Sequence, residues 1–243
     1  MPIDPSAAPA DSPEPEFVPL SKIPNFDPRA VPVASIDSHL PSLSPEAMRA
    51  EALRQRFRET RAWEPEIRVE PRFTGRSIMQ AAVLVPLVMR EQPMVLLTER
   101  ATHLSTHSGQ IAFPGGKCDD TDADVVHTAL REAEEEIGLA RRHVEVIGQL
   151  PSYTTGTMFV VTPVVGLVDP AHTLAVNAHE VADAFEVPLA FLMNPAYHHR
   201  HMLEWSGGRR EWFSMPYMDG KTERFIWGAT AAMLRNFYRF LAA

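Results

Sequence analysis

Cysteine is almost absent: Cys118 is the only one in 243 residues, so no internal disulfide framework forms and a reducing compartment suits the chain. Long apolar runs are missing too. The longest, Ile78 to Met89, is interrupted by Gln80 and is too short to span a bilayer, which argues against a membrane protein. No run of lysine and arginine is long enough to follow a nucleic-acid backbone, and the net charge is −8, so nucleic acid is a poor partner. The first basic residue is Lys22, and the acidic, proline-rich opening has neither the charged nor the apolar region of a secretory leader. A cytoplasmic location is the expectation. An anionic substrate would meet a repulsive overall field, so phosphates could be held only where arginines or divalent cations reverse the local sign.

What is present suits one catalytic domain with an appendage: 45% of residues are hydrophobic and 22% charged. Eleven of the 22 prolines fall in the first 45 residues, mixed with Ser, Ala and Asp, so residues 1–43 read as a flexible tail. Ser44 before Pro45 and Glu46 is a cap followed by proline at the first helical position, and Ala47, Met48, Ala52, Leu53 and Phe57 continue at helical spacing. This predicts a helix to Arg61, packed on the main domain because a short isolated helix is marginal in water. Residues 44–75 are thus a helix and linker, and 76–243 the main domain.

From Arg76 the texture changes to short β-rich runs: Ala81 to Met89 and Met94 to Thr98 around a turn at Glu91-Gln92-Pro93, then Val144 to Ile147, Phe159 to Leu167 and Arg210 to Pro216. Helical patterns run from Asp122 to Ile137 and from Gly228 to Leu241. Strands and helices mix without strict alternation, which predicts an α/β (α+β) sandwich on a mixed sheet.

The central helix carries the chemistry. Val126, Leu130, Ala133 and Ile137 form an apolar stripe suited to a sheet, and Glu132, Glu135 and Glu136 lie off it. Glu132 and Glu136 are four residues apart, so their carboxylates stack one turn apart and repel, by roughly 0.2–0.5 kcal/mol on an exposed helix. Arg131 reaches Glu135 but not both remaining glutamates. A hard divalent cation resolves the conflict, and carboxylate oxygens suit magnesium or manganese. An ordinary solvated acidic face is the bland alternative. The flanks favour the cation: Phe113-Pro114-Gly115-Gly116 lets backbone approach a ligand just before the helix, and Gly138 stops the helix where a C-terminal glycine belongs.

Read from Gly116 to Leu139, Gly-Lys-Cys-Asp-Asp-Thr-Asp, seven residues, then Leu-Arg-Glu-Ala-Glu-Glu-Glu-Ile-Gly-Leu resembles the Nudix box. Leu96 to Ala101, Gly109 and Phe113 to Gly116 further resemble the motif of the coenzyme A pyrophosphatase branch. The likeness continues in Val161 to Gly166, Glu180 to Leu189 and Ile226 to Thr230. Three positions depart from the pattern. Gly116 lies one residue further from Arg131 than is common, Asp122 replaces the isolated glutamate, and Ser105 stands where the branch has an arginine.

The resemblance implies a Nudix-type α/β/α sandwich and hydrolysis of a diphosphate in a small nucleotide, with Mg2+ or Mn2+ on Glu132, Glu135 and Glu136. It assigns catalytic roles to Glu135, Glu180 and Arg131, either Glu180 or a box glutamate activating water, and substrate contacts to Arg100, Gly109, Phe113, Gly115 and Gly116. The branch implies cleavage of coenzyme A into adenosine 3',5'-bisphosphate and 4'-phosphopantetheine. Another diphosphate, such as ADP-ribose, a dinucleotide or a nucleoside triphosphate, stays open, as does a homodimer. A non-catalytic Nudix-like binding module would be expected to have lost some box acids, whereas the three proposed ligands are all retained.

Other patterns are set aside. Asp120, Asp122 and Asp124 imitate a calcium loop, but Val125 and Arg131 occupy its glycine and glutamate positions. His198, His199 and His201 lack a second ligand group and read as a solvated loop rather than a zinc site. Cys118 has no neighbouring base at recognisable spacing, and Arg200, Arg209 and Arg210 are assigned no role.

Overall fold

Met79–Val88 is a ten-residue run with almost no polar side chain, the pattern of a central strand covered on both faces. The computed structural model, which describes residues 26–70, 77–103, 109–205 and 208–243, builds the domain around it. In chain order the elements are β1 (Val33–Ile36), α1 (Ala50–Arg58), β2 (Met79–Val88), β3 (Met94–Arg100), β4 (Ile111–Ala112), β5 (Gly115–Lys117), α2 (Val125–Ile137) and β6 (Val144–Gln149). They continue with β7 (Tyr153–Thr154), β8 (Phe159–Val168), β9 (Val181–Pro188), α3 (Leu189–Leu192), β10 (His199–Trp205), β11 (Gly208–Asp219), β12 (Thr222–Trp227) and α4 (Gly228–Ala242). The main sheet runs β4-β3-β2-β8-β6, with β5 on β2, β7 on β8 and β9 on β3. It is mixed, because β2 and β8 pair in parallel over their whole length while its other pairs are antiparallel. A second, antiparallel sheet has the order β1-β10-β11-β12.

The two-residue period of β2 divides the core. Ala82, Leu84 and Val88 meet Ala129, Ala133 and Ile137 of α2. Ala81, Val85 and Leu87 face the other way, with Phe213 and Met215 of β11 and Phe237 and Leu241 of α4. The sheet is therefore sandwiched between α2 and a layer made by α4 and the second sheet. Among the described residues no helix is long and apolar enough to cross a membrane.

Several expectations need correction. The single helix from Ser44 to Arg61 is a 3-10 turn at Glu46–Met48 followed by α1, because Arg49 takes an extended ψ of 150° between them. The anticipated packing is present: Arg56 lies 3.9 Å over the Phe240 ring and donates from Nε to the Phe240 carbonyl. Residues 33–36, read as tail, form a strand on β10. Residues 1–25 lie outside the described residues. The histidine run is no solvated loop. His198 and His201 are buried, and His201 bridges the Val31 carbonyl and Ser214 Oγ. Arg200, given no role, holds Glu66 at 2.7 Å and Asp37 at 3.4 Å, and Arg235 of α4 grips the same two carboxylates at 2.7 and 2.9 Å. These partners lie more than a hundred residues away in sequence, so local pattern could not reveal them.

His198 Nε2 bonds the Leu192 carbonyl at 2.7 Å, and Arg235 Nη1 lies 3.1 Å from Nδ1. A guanidinium only donates, so Nδ1 accepts and the ring is neutral. Burial, and then Arg235, push its pKa down to about 4. The unfolded ring protonates near 6.5 and the folded one resists, so this group's stability is present above 6.5 and is lost as pH falls towards 4. Between pH 7.5 and 4.5 the chain should lose up to about 3 kcal/mol through this group. Chemical denaturation at both pH values checks this, with a smaller loss expected in His198→Gln.

Candidate functional site

The acidic helix is placed by its two ends. Asp124 caps the start by accepting the His127 N–H at 2.8 Å. Gly138, at φ +67°, closes the end with its N–H on Ala133 and Glu134 carbonyls. The buried face is Thr128, Ala129, Ala133, Glu136 and Ile137; the expected stripe packs on the sheet, Ala133 and Ile137 fully and Val126 and Leu130 half-buried at its edge, and the face extends to Glu136. Glu136 thereby lies against β5, where Gly115 and Gly116 have no side chain to resist it.

That glycine strand sets the spacing. A Cβ at Gly116 would lie 2.5 Å from Glu132 Cδ and 2.6 Å from both its carboxylate oxygens, so only glycine lets the carboxylate rest on the backbone there. The Gly115 N–H donates to Glu136 Oε2 at 3.1 Å, and Gly116 pairs with Ala82 of the central strand. The glycines act as a rigid floor for two glutamates.

Arg131 organises the outer side. It forks onto Asp122, Nε to Oδ1 at 3.0 Å and Nη2 to Oδ2 at 2.9 Å, while Nη1 reaches both Glu132 and Glu135 at 2.9 Å. Asp122 also accepts from the Asp119 N–H and Thr128 Oγ1, so the shorter acid makes the structural bonds of this corner. The Arg131 fork holds the Asp122 carboxyl well below its usual range. With its donors shared among Asp122, Glu132, Glu135 and the Lys117 carbonyl, Arg131 positions carboxylates.

The loop before β9 brings in a further carboxylate. The last helical turn leaves carbonyls without internal partners, and two are taken by this loop: the Ala175 N–H bonds the Ile137 carbonyl at 2.8 Å and the Asn177 N–H the Glu136 carbonyl at 2.9 Å. Asn177 Nδ2 then donates to Glu180 Oε1 at 3.2 Å. Asn177 was not foreseen, and its only sequence signal is an Asx residue three before a glutamate.

The electrostatics report that these carboxylates act on one another. Burial raises the Glu136 pKa to about 7, against the Gly115 N–H bond and with further upward pushes from Glu132 and Glu180, while Arg100 draws it down. Glu132 is raised by burial, opposed by Arg131 and aided by Glu135 and Glu180. Glu132, Glu136 and Glu180 therefore repel one another, faced by Arg100, whose buried Nε has no hydrogen-bond partner among the described residues.

Of the residues singled out from sequence, Glu132, Glu136, Glu180, Arg100, Gly115 and Gly116 share this site. Glu135 lies at its rim with 56% of its side chain exposed. Gly109, at φ +66°, donates its N–H to the Arg100 carbonyl and so acts on the backbone that carries Arg100. Phe113 is 3% exposed and packs in the core on the α4 side, so its ring is scaffold rather than contact surface. Ser105 lies outside the described residues. Among the described residues no three acidic, His or Cys side chains already converge as a ligand group, so a cation would have to draw these carboxylates inward. The donors still fit one: all are hard oxygens, partly desolvated and mutually repelling.

The chain matches the NUDIX domain family model over residues 79–206. A protein of Shigella flexneri serotype 5b, described as uncharacterized Nudix hydrolase NudL, is 44% identical over 173 residues, covering 71% of this chain and 85% of the relative. Its counterpart in Escherichia coli O1:K1 is 45% identical over 158 residues, covering 65% and 80%. Among solved structures, a C. elegans Ap4A hydrolase binary complex aligns at 19% identity with a TM-score of 0.40, over 49% of this chain and 86% of that one.

The raised Glu136 pKa has a sign. This carboxyl contributes its stability below the usual carboxylate pKa of 4.5 and loses it as pH rises through about 7. In chelator at pH 8, Glu136→Gln should therefore be more stable than wild type by about 2 kcal/mol, the gain vanishing near pH 4.5. Thermal unfolding at both pH values decides it, and a less stable variant at pH 8 would remove the claim that this charge is strained.

Proposed function

Because the chain belongs to the Nudix family and is a pyrophosphohydrolase of nucleoside diphosphate derivatives, we propose that its substrate is coenzyme A or an acyl-coenzyme A. The products are adenosine 3',5'-bisphosphate and the free or acylated 4'-phosphopantetheine. The observation that carries the site assignment is the seating of the Glu132 and Glu136 carboxylates on Gly116 and Gly115, with Glu180 on the loop docked to the end of the same helix. The branch motif from Leu96 to Gly116 supports the choice of substrate.

Glu132, Glu136 and Glu180 would hold Mg2+ or Mn2+, and Glu135, held at the rim by Arg131, would join them by leaving that partner. When bound, the cation neutralises diphosphate charge and makes phosphorus more open to attack by water. The protein does the rest. Arg100 offers its unpartnered Nε to a phosphate oxygen, which satisfies a buried donor and adds a charge-assisted bond. Glu180, on a loop docked to the helix end and steadied by Asn177, accepts a proton from the attacking water. Arg131 keeps Glu132 and Glu135 aimed by holding both from one side, with Asp122 fixing its other edge.

Incubation with a panel of diphosphates and Mg2+ or Mn2+, with products identified by mass, tests the reading. Coenzyme A should be split into the two named products, with activity lowered at least a hundredfold in Glu136→Gln and in Glu180→Gln, the range expected when a charge-stabilising or proton-accepting group is lost. Preferential cleavage of ADP-ribose or a dinucleotide would replace the substrate and keep the machinery. Full activity of Glu136→Gln would end the metal assignment.

A further inference from the structure

Glu99 of β3 and Asp183 of β9 stand directly opposite each other in the antiparallel ladder. Like charges in that relation repel and weaken a strand pair. One guanidinium from the other sheet resolves them. Arg224 of β12, only 9% exposed, donates from Nη1 to Glu99 Oε2 at 2.9 Å and from Nη2 to Asp183 Oδ2 at 2.5 Å. Its Nε and Nη2 also bond Asp219 Oδ2 at 3.3 and 3.2 Å. Its guanidinium carbon sits 4.0 Å from the centre of the Phe185 ring, which fixes the fork against the sheet and excludes water from one side.

The clamp lies where the ladder breaks. The next residue, Arg100, pairs with Val181, so Ala182 is an extra residue in β9. Such a bulge bends its strand and re-aims the side chains around it. On β3 the residue past the break is Arg100. On the other chain segment it is Glu180, whose carbonyl accepts the Ala101 N–H at 2.9 Å. Both residues that the chemistry needs from outside the acidic helix thus leave the sheet at one bulge, and Arg224 is the cation that closes the repelling pair beside it.

We infer that Arg224 is a positioning residue: it touches no substrate, and it fixes Arg100 and Glu180 relative to Glu132 and Glu136 by neutralising the Glu99–Asp183 pair. The functional part of this rests on the diphosphate-hydrolase reading. Without the guanidinium the two carboxylates push the strands apart, and Arg100 and Glu180 lose their shared anchor. A role in packing alone would differ in one respect, since neutralising Glu99 and Asp183 would then leave the defect unrepaired.

The test compares full-length wild type, Arg224→Met, and the triple variant Arg224→Met/Glu99→Gln/Asp183→Asn, by coenzyme A turnover and by backbone amide exchange. In Arg224→Met, kcat should fall about tenfold, more than KM rises. Exchange of the Ala101 amide should quicken by a similar factor while amides of α2 and β8 keep their protection. In the triple variant both should return to within about threefold of wild type. Equal losses in the single and triple variants would overturn the inference, as would unchanged Ala101 exchange in Arg224→Met. If wild type cleaves no diphosphate, the functional reading fails, and Ala101 exchange still decides whether Arg224 holds the bulge. Should Arg224→Met not fold, Arg224→Lys, a point charge in place of the fork, carries the same comparison with a smaller loss.

Discussion

Carboxylates confined over two consecutive glycines of β5 are the constraint on which this protein turns. Glu132 and Glu136 rest on Gly116 and Gly115 because any larger residue at 116 would occupy the place of the Glu132 carboxylate. Burial there opposes ionisation, and the nearness of Glu180 adds to the cost. The strain persists because the surroundings overdetermine it. The glycine strand is pinned to β2, the helix is pinned to the sheet by Ala129, Ala133 and Ile137, and the Glu180 loop is pinned to the helix by the carbonyls of its last turn.

The two faces of the sheet divide the work. The α2 side carries the carboxylates of the candidate site. The α4 side carries the larger apolar core and gathers in the N-terminal segment through Asp37, Glu66, Arg200 and Arg235. With a net charge of −8, an anionic ligand is favoured only where the field is locally reversed. Arg131 is already committed to Asp122, Glu132 and Glu135, so Arg100 is the protein's remaining contribution to that reversal, and a divalent cation would supply the larger part.

The acidic helix was legible in the sequence because everything that defines it is local: the Asp124 cap, the Gly138 stop, the glutamate spacing and the glycines just upstream. Its apolar stripe was legible too, whereas the burial of Glu136, which lies off that stripe, depends on a glycine floor in another element. The mixed sandwich was also legible, because β2, β3, β6, β8 and β11 announce themselves as apolar or alternating runs. β10 was not. His198, Arg200 and His201 look like a solvated loop until Asp37, Glu66 and Val31 arrive from distant parts of the chain and Ser214 from the adjoining strand. β1 was hidden in the same way, as four exposed residues in a proline-rich stretch whose only support is β10. The meeting of Glu180 with the helix is equally non-local, and only the family resemblance pointed to it.

The central claim is that the repelling carboxylates form one cation site, and Mn2+ binding followed by electron paramagnetic resonance in the absence of substrate addresses it most directly. The account predicts that Glu132→Gln, Glu136→Gln and Glu180→Gln each weaken Mn2+ binding by about tenfold or more, while Glu134→Gln, whose exposed side chain faces Arg141, binds as wild type does. Equal affinity across all four variants would contradict it.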